Sequence, residues 1–381
     1  MQDIKVSICC ITYNHEKYIE DAIKGFLMQE TNFDFEIIIG EDCSTDRTAS
    51  LVMKYKEKYP DKIRIVTSET NVGMKENSMR VLKSVRGKYI AFCEGDDRWL
   101  DPYKLQKQVN FMDANSEYSM CGHITAINNV EIDQIVGKIG EDEYSKEIII
   151  DDFIRGVVFH NSSVLFRKSC IENEKGDFYF PDYFLNSPVG DYAIQLYLFT
   201  KGKVYCFNEI MSQYNWNLSN SWTSTQFNVF SKKIELHNRV IEMFKNFNRE
   251  NDAAYDRFIE AAIEFRLEMI DGMKENLLNP KTIDHVFSIP NLNKQNIYIF
   301  GAGAFGKSIA KKLLMADKKV GGFIDNNLKL MGKEIMGIEV FNLSKITQDS
   351  LILICSQWSK DISKQLDDGG YHNYYKLIHW L

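Results

Sequence analysis

The 381-residue chain carries 46 lysines and arginines against 53 aspartates and glutamates, a formal charge of −7. That balance argues against a nucleic-acid binder working through a broad basic face, and the length suits two domains, each with a buried core. Eight cysteines show no CxxC spacing, and the adjacent Cys9-Cys10 pair lies in an apolar run that reads as a strand, where neighbours point to opposite faces and are poorly placed to bridge. The expectation is a reduced, cytoplasmic protein. With no signal peptide and no apolar run of bilayer length, membrane association is expected to be peripheral at most, at the inner face.

In chain order, Lys5–Thr12 reads as a buried strand and Glu16–Met28 has helical spacing. Phe35–Ile39 is a second strand. Ser44 and Asp46 offer N-caps for a helix running to about Tyr59, which Pro60 ends. Lys62–Thr67 is a third strand, Asn77–Val85 a helix and Tyr89–Cys93 a fourth strand. This alternation predicts a parallel, doubly wound α/β sheet. Residues 226–288 read as wholly helical. Beyond Pro290, strands at Asn296–Phe300, Val320–Ile324, Ile338–Phe341 and Leu351–Cys355 predict a second, smaller α/β domain.

Three loops follow strands of the first sheet: Tyr13-Asn14-His15, Glu41 to Asp46, and Glu94-Gly95-Asp96-Asp97. Ligands of open parallel sheets bind beyond the carboxyl ends of the strands, so the acidic loops should converge on one cleft. Crowded carboxylates repel unless a cation separates them, and Mg2+ or Mn2+ suits such a set because each keeps positions open for phosphate oxygens. The plainer alternative is that these clusters are turns and helix caps, as expected of Asp46. Asp42, Asp96 and Asp97 each follow a buried strand, which favours a functional site.

The stretch from Val6 to about Leu105 resembles the family 2 glycosyltransferases with a GT-A fold. It has Thr12-Tyr13-Asn14 for T-Y-N, Glu41-Asp42-Cys43-Ser44-Thr45-Asp46-Arg47-Thr48 for D-D-G-S-T-D-x-T, and Asn71-Val72-Gly73 for N-x-G. Glu94-Gly95-Asp96-Asp97, then Trp99, Pro102 and Lys104-Leu105, stand for the D-x-D-D metal motif and its W, P and K-L. Glu41 and Glu94 replace aspartates. The resemblance implies a GT-A type doubly wound mixed sheet and a metal-dependent, inverting transfer from a nucleotide-diphosphate sugar, UDP first among donors. It also implies roles. Thr12, Tyr13, Asn14 and Asn71 line the nucleotide pocket, Asp42 binds the base with Glu41 as substitute, and Asp96 holds the metal with help from Glu94 or Asp97.

The resemblance further implies a general base at the start of a helix after the acceptor segment. Asp191 matches, with Gly190 where Glu is usual; the alternative is a helix cap, and Asp182 is the reserve candidate. His160, in His160-Asn161-Ser162-Ser163, resembles the segment flanking donor sugar and acceptor, and could equally be structural. A family Y-R-x-H-x-x-S-x-S is replaced by Tyr214-Asn215-Trp216-Asn217-Leu218-Ser219-Asn220-Ser221, so Asn217 stands where a histidine near the metal or diphosphate is usual.

Gly301-Ala302-Gly303-Ala304-Phe305-Gly306 follows a strand and opens a helix, and Asp325 ends the next strand. That is the context of a dinucleotide fingerprint. The stretch resembles the Rossmann-like nucleotide-binding domain of bacterial sugar N-acyltransferases and other sugar-modifying enzymes. The alternative is a domain for packing or assembly, leaving a homo-oligomer open. The expected plan is a glycosyltransferase domain at 1–225, a helical linker at 226–290 and a Rossmann-like domain at 291–381. The expected partners are a nucleotide sugar and a glycan or lipid-linked acceptor of bacterial surface polysaccharide synthesis. The rivals are a non-catalytic nucleotide-sugar sensor or scaffold, and an NAD-dependent oxidoreductase.

Overall fold

The computed structural model describes residues 4–130, 132–140, 145–173, 175–216, 230–278, 282–283, 286, 289, 292, 296–356 and 359–377. Over these the chain divides into two compact units. One lies within Met1–Asn129, Ile135–Trp216 and Asn238–Arg266, and the other within Val130–Gln134, Asn217–His237 and Leu267–Leu381.

The first unit begins β1 Ile4–Thr12, α1 Ile19–Leu27, β2 Asp34–Glu41, α2 Thr48–Lys58, β3 Ile63–Thr67, α3 Met74–Leu82 and β4 Tyr89–Phe92. It continues with β5 Arg98–Trp99, α4 Lys104–Ala114, β6 Tyr118–Asn129, β7 Gln134–Ile139, β8 Lys146–Ile148, β9 Leu165–Arg167, α5 Asp182–Leu185, α6 Gly190–Phe199 and β10 Lys203–Trp216. The main sheet runs β3-β2-β1-β4-β9-β6-β10-β5. Its first four strands are parallel, while β9 lies antiparallel between β4 and β6. This is the doubly wound mixed sheet that the resemblance implied. Alternation sends Cys9 into the core on one face, with Ile38 and Ile90, and Cys10 into the core on the other, with Ile8 and Ile39. All eight cysteines are free.

Two local expectations shift. Helix α3 starts three residues before the expected Asn77, because Gly73 at φ 87° turns the chain and the Asn77 N–H reaches back to the Gly73 carbonyl. Ser44 is not a cap: its Oγ accepts the Asn14 N–H at 3.0 Å. Asp46 does cap, taking the Thr48 N–H at 2.8 Å.

Residues 226–288 are not one helical stretch. Helices α7 Phe230–Glu250 and α8 Asp256–Leu278 are separated by a turn in which Asp252 and Ala253 take positive φ, and β11 Thr282–Ile283 follows. The Asn251 side chain donates to the Phe247 carbonyl there, so a short polar residue ends the helix from within. From these helices Val240, Phe244, Phe247, Phe258, Ile259 and Ala262 enter the core of the first unit.

The second unit carries β12 Ile297–Phe300, α9 Ala304–Met315, β13 Val320–Ile324, β14 Glu334–Ile335, β15 Ile338–Phe341, β16 Leu351–Ile354, α10 Ser359–Asp368 and β17 Tyr374–Leu377. Its sheet order is β11-β17-β16-β12-β13-β15-β14, parallel except for the β14–β15 pair. Chain order reverses direction at β12, between β13 on one side and β16 on the other. Among the described residues no helix is long and apolar enough to cross a membrane.

Candidate functional site

Three parallel strands deliver the site. β1 ends at the buried Thr12 and passes into Tyr13 and Asn14, the latter at φ 56°. β2 ends at Glu41 and passes into Asp42 and Cys43, at φ 58°. The two loops are laced together. Asn14 donates its N–H to Ser44, and its Oδ1 accepts from Thr45 N at 2.8 Å; Glu16 N donates to Asp46 Oδ2 at 3.0 Å.

The carboxylates of this region have distinct occupations. Glu41 closes its own loop, taking the N–H groups of Cys43 and Ser44 at 3.2 and 2.8 Å. Asp42 reaches across to the N-x-G segment, where it accepts from Val72 N at 3.0 Å and Gly73 N at 2.9 Å, with Arg80 at 3.3 Å. Asn71 folds onto the same turn, its Oδ1 accepting from Gly73 N at 3.0 Å. Tyr13 and Val72 stay exposed beside this framework.

The loop after β4 gathers the acidic centre. Glu94, Asp96 and Asp97 offer carboxylate oxygens that all lie within 4.8 Å of one another. Burial, then the charges of Asp96 and Asp191, push Glu94 up to about 8. Burial, Asp96 and Glu94 push Asp97 well up, although the Asn215 N–H at 3.2 Å acts the other way. Asp97 Oδ2 is buried and finds no hydrogen-bond partner among the described residues. Three mutually repelling carboxylates with an orphaned oxygen among them fit a divalent cation.

The 3₁₀ turn Asn161–Ser163 closes the site from the β9 side. Trp99 Nε1 donates to the Ser162 carbonyl and Gln108 Nε2 to that of Ser163, both at 2.8 Å, which fixes the turn. From it, Asn161 Nδ2 donates to Glu94 at 3.3 Å and His160 Nδ1 stands 3.6 Å from Asp97 Oδ2. Burial pushes His160 down to about 4, so it is neutral near pH 7, and it stacks on Tyr214 at 4.4 Å. Asp191 occupies the first turn of α6, where its Oδ1 accepts from Tyr192 N at 2.9 Å. Burial raises its carboxyl, and its charge reaches Glu94. Asp182 is exposed, in the first turn of α5, whose N–H groups are taken by Glu250.

The structure thus brings Glu94, Asp96, Asp97 and His160 together, with Asp191 in electrostatic reach. Asn217 lies outside the described residues. Two contributors were passed over in the sequence. Asn161 had no signal beyond its neighbour His160. Asn215, at the place of a family arginine, clamps the acidic loop with its N–H on Asp97 and its Nδ2 on the Asp96 carbonyl at 2.7 Å.

In the second unit Gly301 has φ 113°, and a Cβ there would meet the Cys355 carbonyl at 2.5 Å; one on Gly306 would meet Gly301 O at 1.8 Å. A Cβ on Gly303 would meet nothing within 4 Å. Asp325 Oδ2 accepts the Ala302 N–H at 2.9 Å, bracing the loop from β13.

Comparison with known proteins gives two family matches. Residues 7–173 match the family described as glycosyl transferase family 2, and residues 293–378 the family described as C2185-like, N-terminal. An uncharacterized protein of Mycobacterium tuberculosis is 45% identical over 118 residues, 31% of this chain and 34% of that one, so the chain spans about a third of its length. The putative teichuronic acid biosynthesis glycosyltransferase TuaG of Bacillus subtilis is 28% identical over 228 residues, 58% of this chain and 84% of its own. An Escherichia coli protein, UDP-Glc:alpha-D-GlcNAc-diphosphoundecaprenol beta-1,3-glucosyltransferase WfgD, is 33% identical over 138 residues, 36% of this chain and 51% of its own.

Proposed function

We propose, from the family 2 glycosyltransferase domain at residues 7–173, that the first unit is a metal-dependent, inverting glycosyltransferase. It moves a sugar from a nucleotide diphosphate, UDP by preference, to a hydroxyl of a glycan or lipid-linked acceptor in bacterial surface polysaccharide synthesis. The carrying observation is the mutual approach of Glu94, Asp96 and Asp97 within 4.8 Å, with the Asp191 charge felt at Glu94. The Bacillus and Escherichia relatives, named for teichuronic acid synthesis and for a UDP-glucose donor with a diphosphoundecaprenol acceptor, support the pathway and substrate class.

Glu94, Asp96 and Asp97 would hold Mn2+ or Mg2+, which supplies charge neutralisation at the departing diphosphate. Thr12, Tyr13, Asn14 and Asn71 form the nucleotide pocket, with Glu41 and Asp42 acting both as its acidic edge and as the braces of its loops. Asp191 takes the acceptor hydroxyl's proton while that oxygen attacks the anomeric carbon from the face opposite the leaving group. A carboxyl raised by burial holds a proton better than an exposed one, which suits a base. His160, neutral and stacked, borders the donor sugar, and Asn217 is assigned to the diphosphate side. In the second unit, Gly301, Gly303 and Gly306 with Asp325 form a Rossmann-like cradle for a nucleotide ligand.

The test is a panel of nucleotide sugars scored for nucleotide release, with Mn2+, with Mg2+ and with chelator, in the presence and absence of glycan and polyprenyl-diphosphate acceptors. Metal-dependent release from at least one donor is expected. Failure of every donor with either metal would sink the reading.

A further inference from the structure

Two imidazoles approach the acidic centre, and they differ in what already occupies them. His160 is committed: its Nδ1 accepts from Ser162 N at 3.4 Å and pairs with the Ser162 hydroxyl at 2.8 Å, and its ring stacks on Tyr214. His15 is not. Its Nε2 lies 3.7 Å from Asp96 Oδ2, beyond hydrogen-bond length, and its Nδ1 finds no partner among the described residues. The side chain is 24% exposed, with its Nδ1 buried.

The backbone beneath that ring is fixed on both sides. The His15 N–H donates to Thr48 Oγ1 at 2.8 Å, which ties it to the start of α2. Its carbonyl accepts from the N–H groups of Tyr18 and Ile19 at 2.9 Å, at the entry to α1. A rigidly mounted imidazole facing a carboxylate it does not bond is poised for a third party. Of the guanidinium groups of this unit, Arg80 serves Asp42 and Asn77, Arg98 serves Gln213 and Arg47 serves Glu16, although Arg80 Nε and Arg98 Nε find no partner among the described residues.

We propose that His15 is a diphosphate-binding residue whose Nε2–H donates to an oxygen of the nucleotide's diphosphate beside Asp96. The inference rests on the function proposed above. A diphosphate oxygen sharing the cation with Asp96 becomes a neighbour of that carboxylate, and His15 is the side chain facing it from the nucleotide loop. A donor at this place gains strength as negative charge grows on the departing phosphate.

The experiment is calorimetric titration of the full chain in Mn2+ with UDP and GDP, and with UMP and GMP. Loss of one hydrogen bond to a charged group corresponds to roughly a tenfold loss of affinity. His15→Ala should therefore weaken the preferred diphosphate about 10-fold and leave the matching monophosphate within about 2-fold, with an unchanged melting temperature. His15→Gln, which keeps an N–H at a similar reach, should recover part of the loss. Equal weakening of diphosphate and monophosphate, or no weakening of either, overturns the assignment of His15. Absence of binding by the wild type to all four nucleotides overturns the proposed function itself and the inference with it.

Discussion

At the residue scale, chemistry depends on a few side chains whose surroundings give each a different task. Asp191→Asn keeps the size and most of the capping ability but removes the proton acceptor. Turnover should fall by about 10² or more while donor affinity and melting temperature stay near wild type, and steady-state kinetics beside a thermal melt checks both. Survival of turnover would reduce Asp191 to a cap. Cys43 stands at φ 58° where the family pattern has glycine. An L side chain in that conformation costs about 1 kcal/mol, so Cys43→Gly should raise stability by up to that amount, read from denaturant unfolding. The acidic residues were legible in the sequence because each directly follows an apolar strand. Asn215 and Asn161 were not, since their roles arise only when β10 and the Asn161–Ser163 turn are laid against the loop after β4. Asn215 and Asp97 are 118 positions apart, and no spacing rule joins them.

At the element scale, β1, β2 and the loop before β4 are tied by one buried carboxylate. Glu36 accepts from Ser7 Oγ at 2.7 Å, from Arg64 at 2.9 Å and from Arg86 through its backbone N–H and its guanidinium. Burial alone would push this carboxyl up, but the Arg86, Ser7 and Arg64 hydrogen bonds outweigh it and hold it below its ordinary 4.5. A folded-state value below the unfolded one contributes stability above pH 4.5 that is lost as pH falls through the lowered value. Glu36→Ala should cost about 2 kcal/mol, because it strands the buried Ser7 hydroxyl and the half-buried Arg64, while the exposed Arg86 is solvated in its absence. Glu36→Gln should flatten the fall in melting temperature between about pH 5 and 3, measured by calorimetry. Strands β1 to β4 and β12, β13, β15 and β16 could be read from periodicity, whereas β5 to β11, β14 and β17, short or among mixed aromatic sequence, could not. The break between α7 and α8 was passed over although two separate apolar stripes flank the polar run Asn248–Asp252, where Asn251 and two positive-φ residues turn the chain.

At the scale of the whole molecule, two units carry two sets of loops at strand ends. The glycines of the second set separate structure from ligand. Gly306→Ala would press a methyl onto Gly301 O, and should lower the stability of the second unit. Gly303→Val meets open space, so the fold should persist, donor turnover in the first unit should be unchanged, and any nucleotide bound by the second unit should be lost. A differential calorimetry trace with nucleotide titrations of each full-length variant distinguishes these outcomes. The second sheet was readable from the pattern change near Pro290, whereas the unit that carries it takes in residues from Leu267 onward. The participation of α7 and α8 in the first core was not, since an amphipathic face does not say which surface it covers.

A cation site of Glu94, Asp96 and Asp97 serving a nucleotide-diphosphate sugar, as proposed, couples metal binding to the stability of the fold. Without a cation, Glu94 is held up to about 8. Its contribution to stability is therefore complete below its ordinary 4.5 and lost as pH rises through about 8. A bound cation reverses that penalty and competes with protons for the same oxygens. The most direct measurement is the melting temperature of the full chain with and without Mn2+ at pH 6 and pH 8, beside Asp97→Asn. A rise on adding Mn2+ is expected, larger at pH 8 than at pH 6 and abolished or much reduced in Asp97→Asn. A wild-type melting temperature indifferent to Mn2+ at both pH values, or a rise that Asp97→Asn keeps in full, would contradict it.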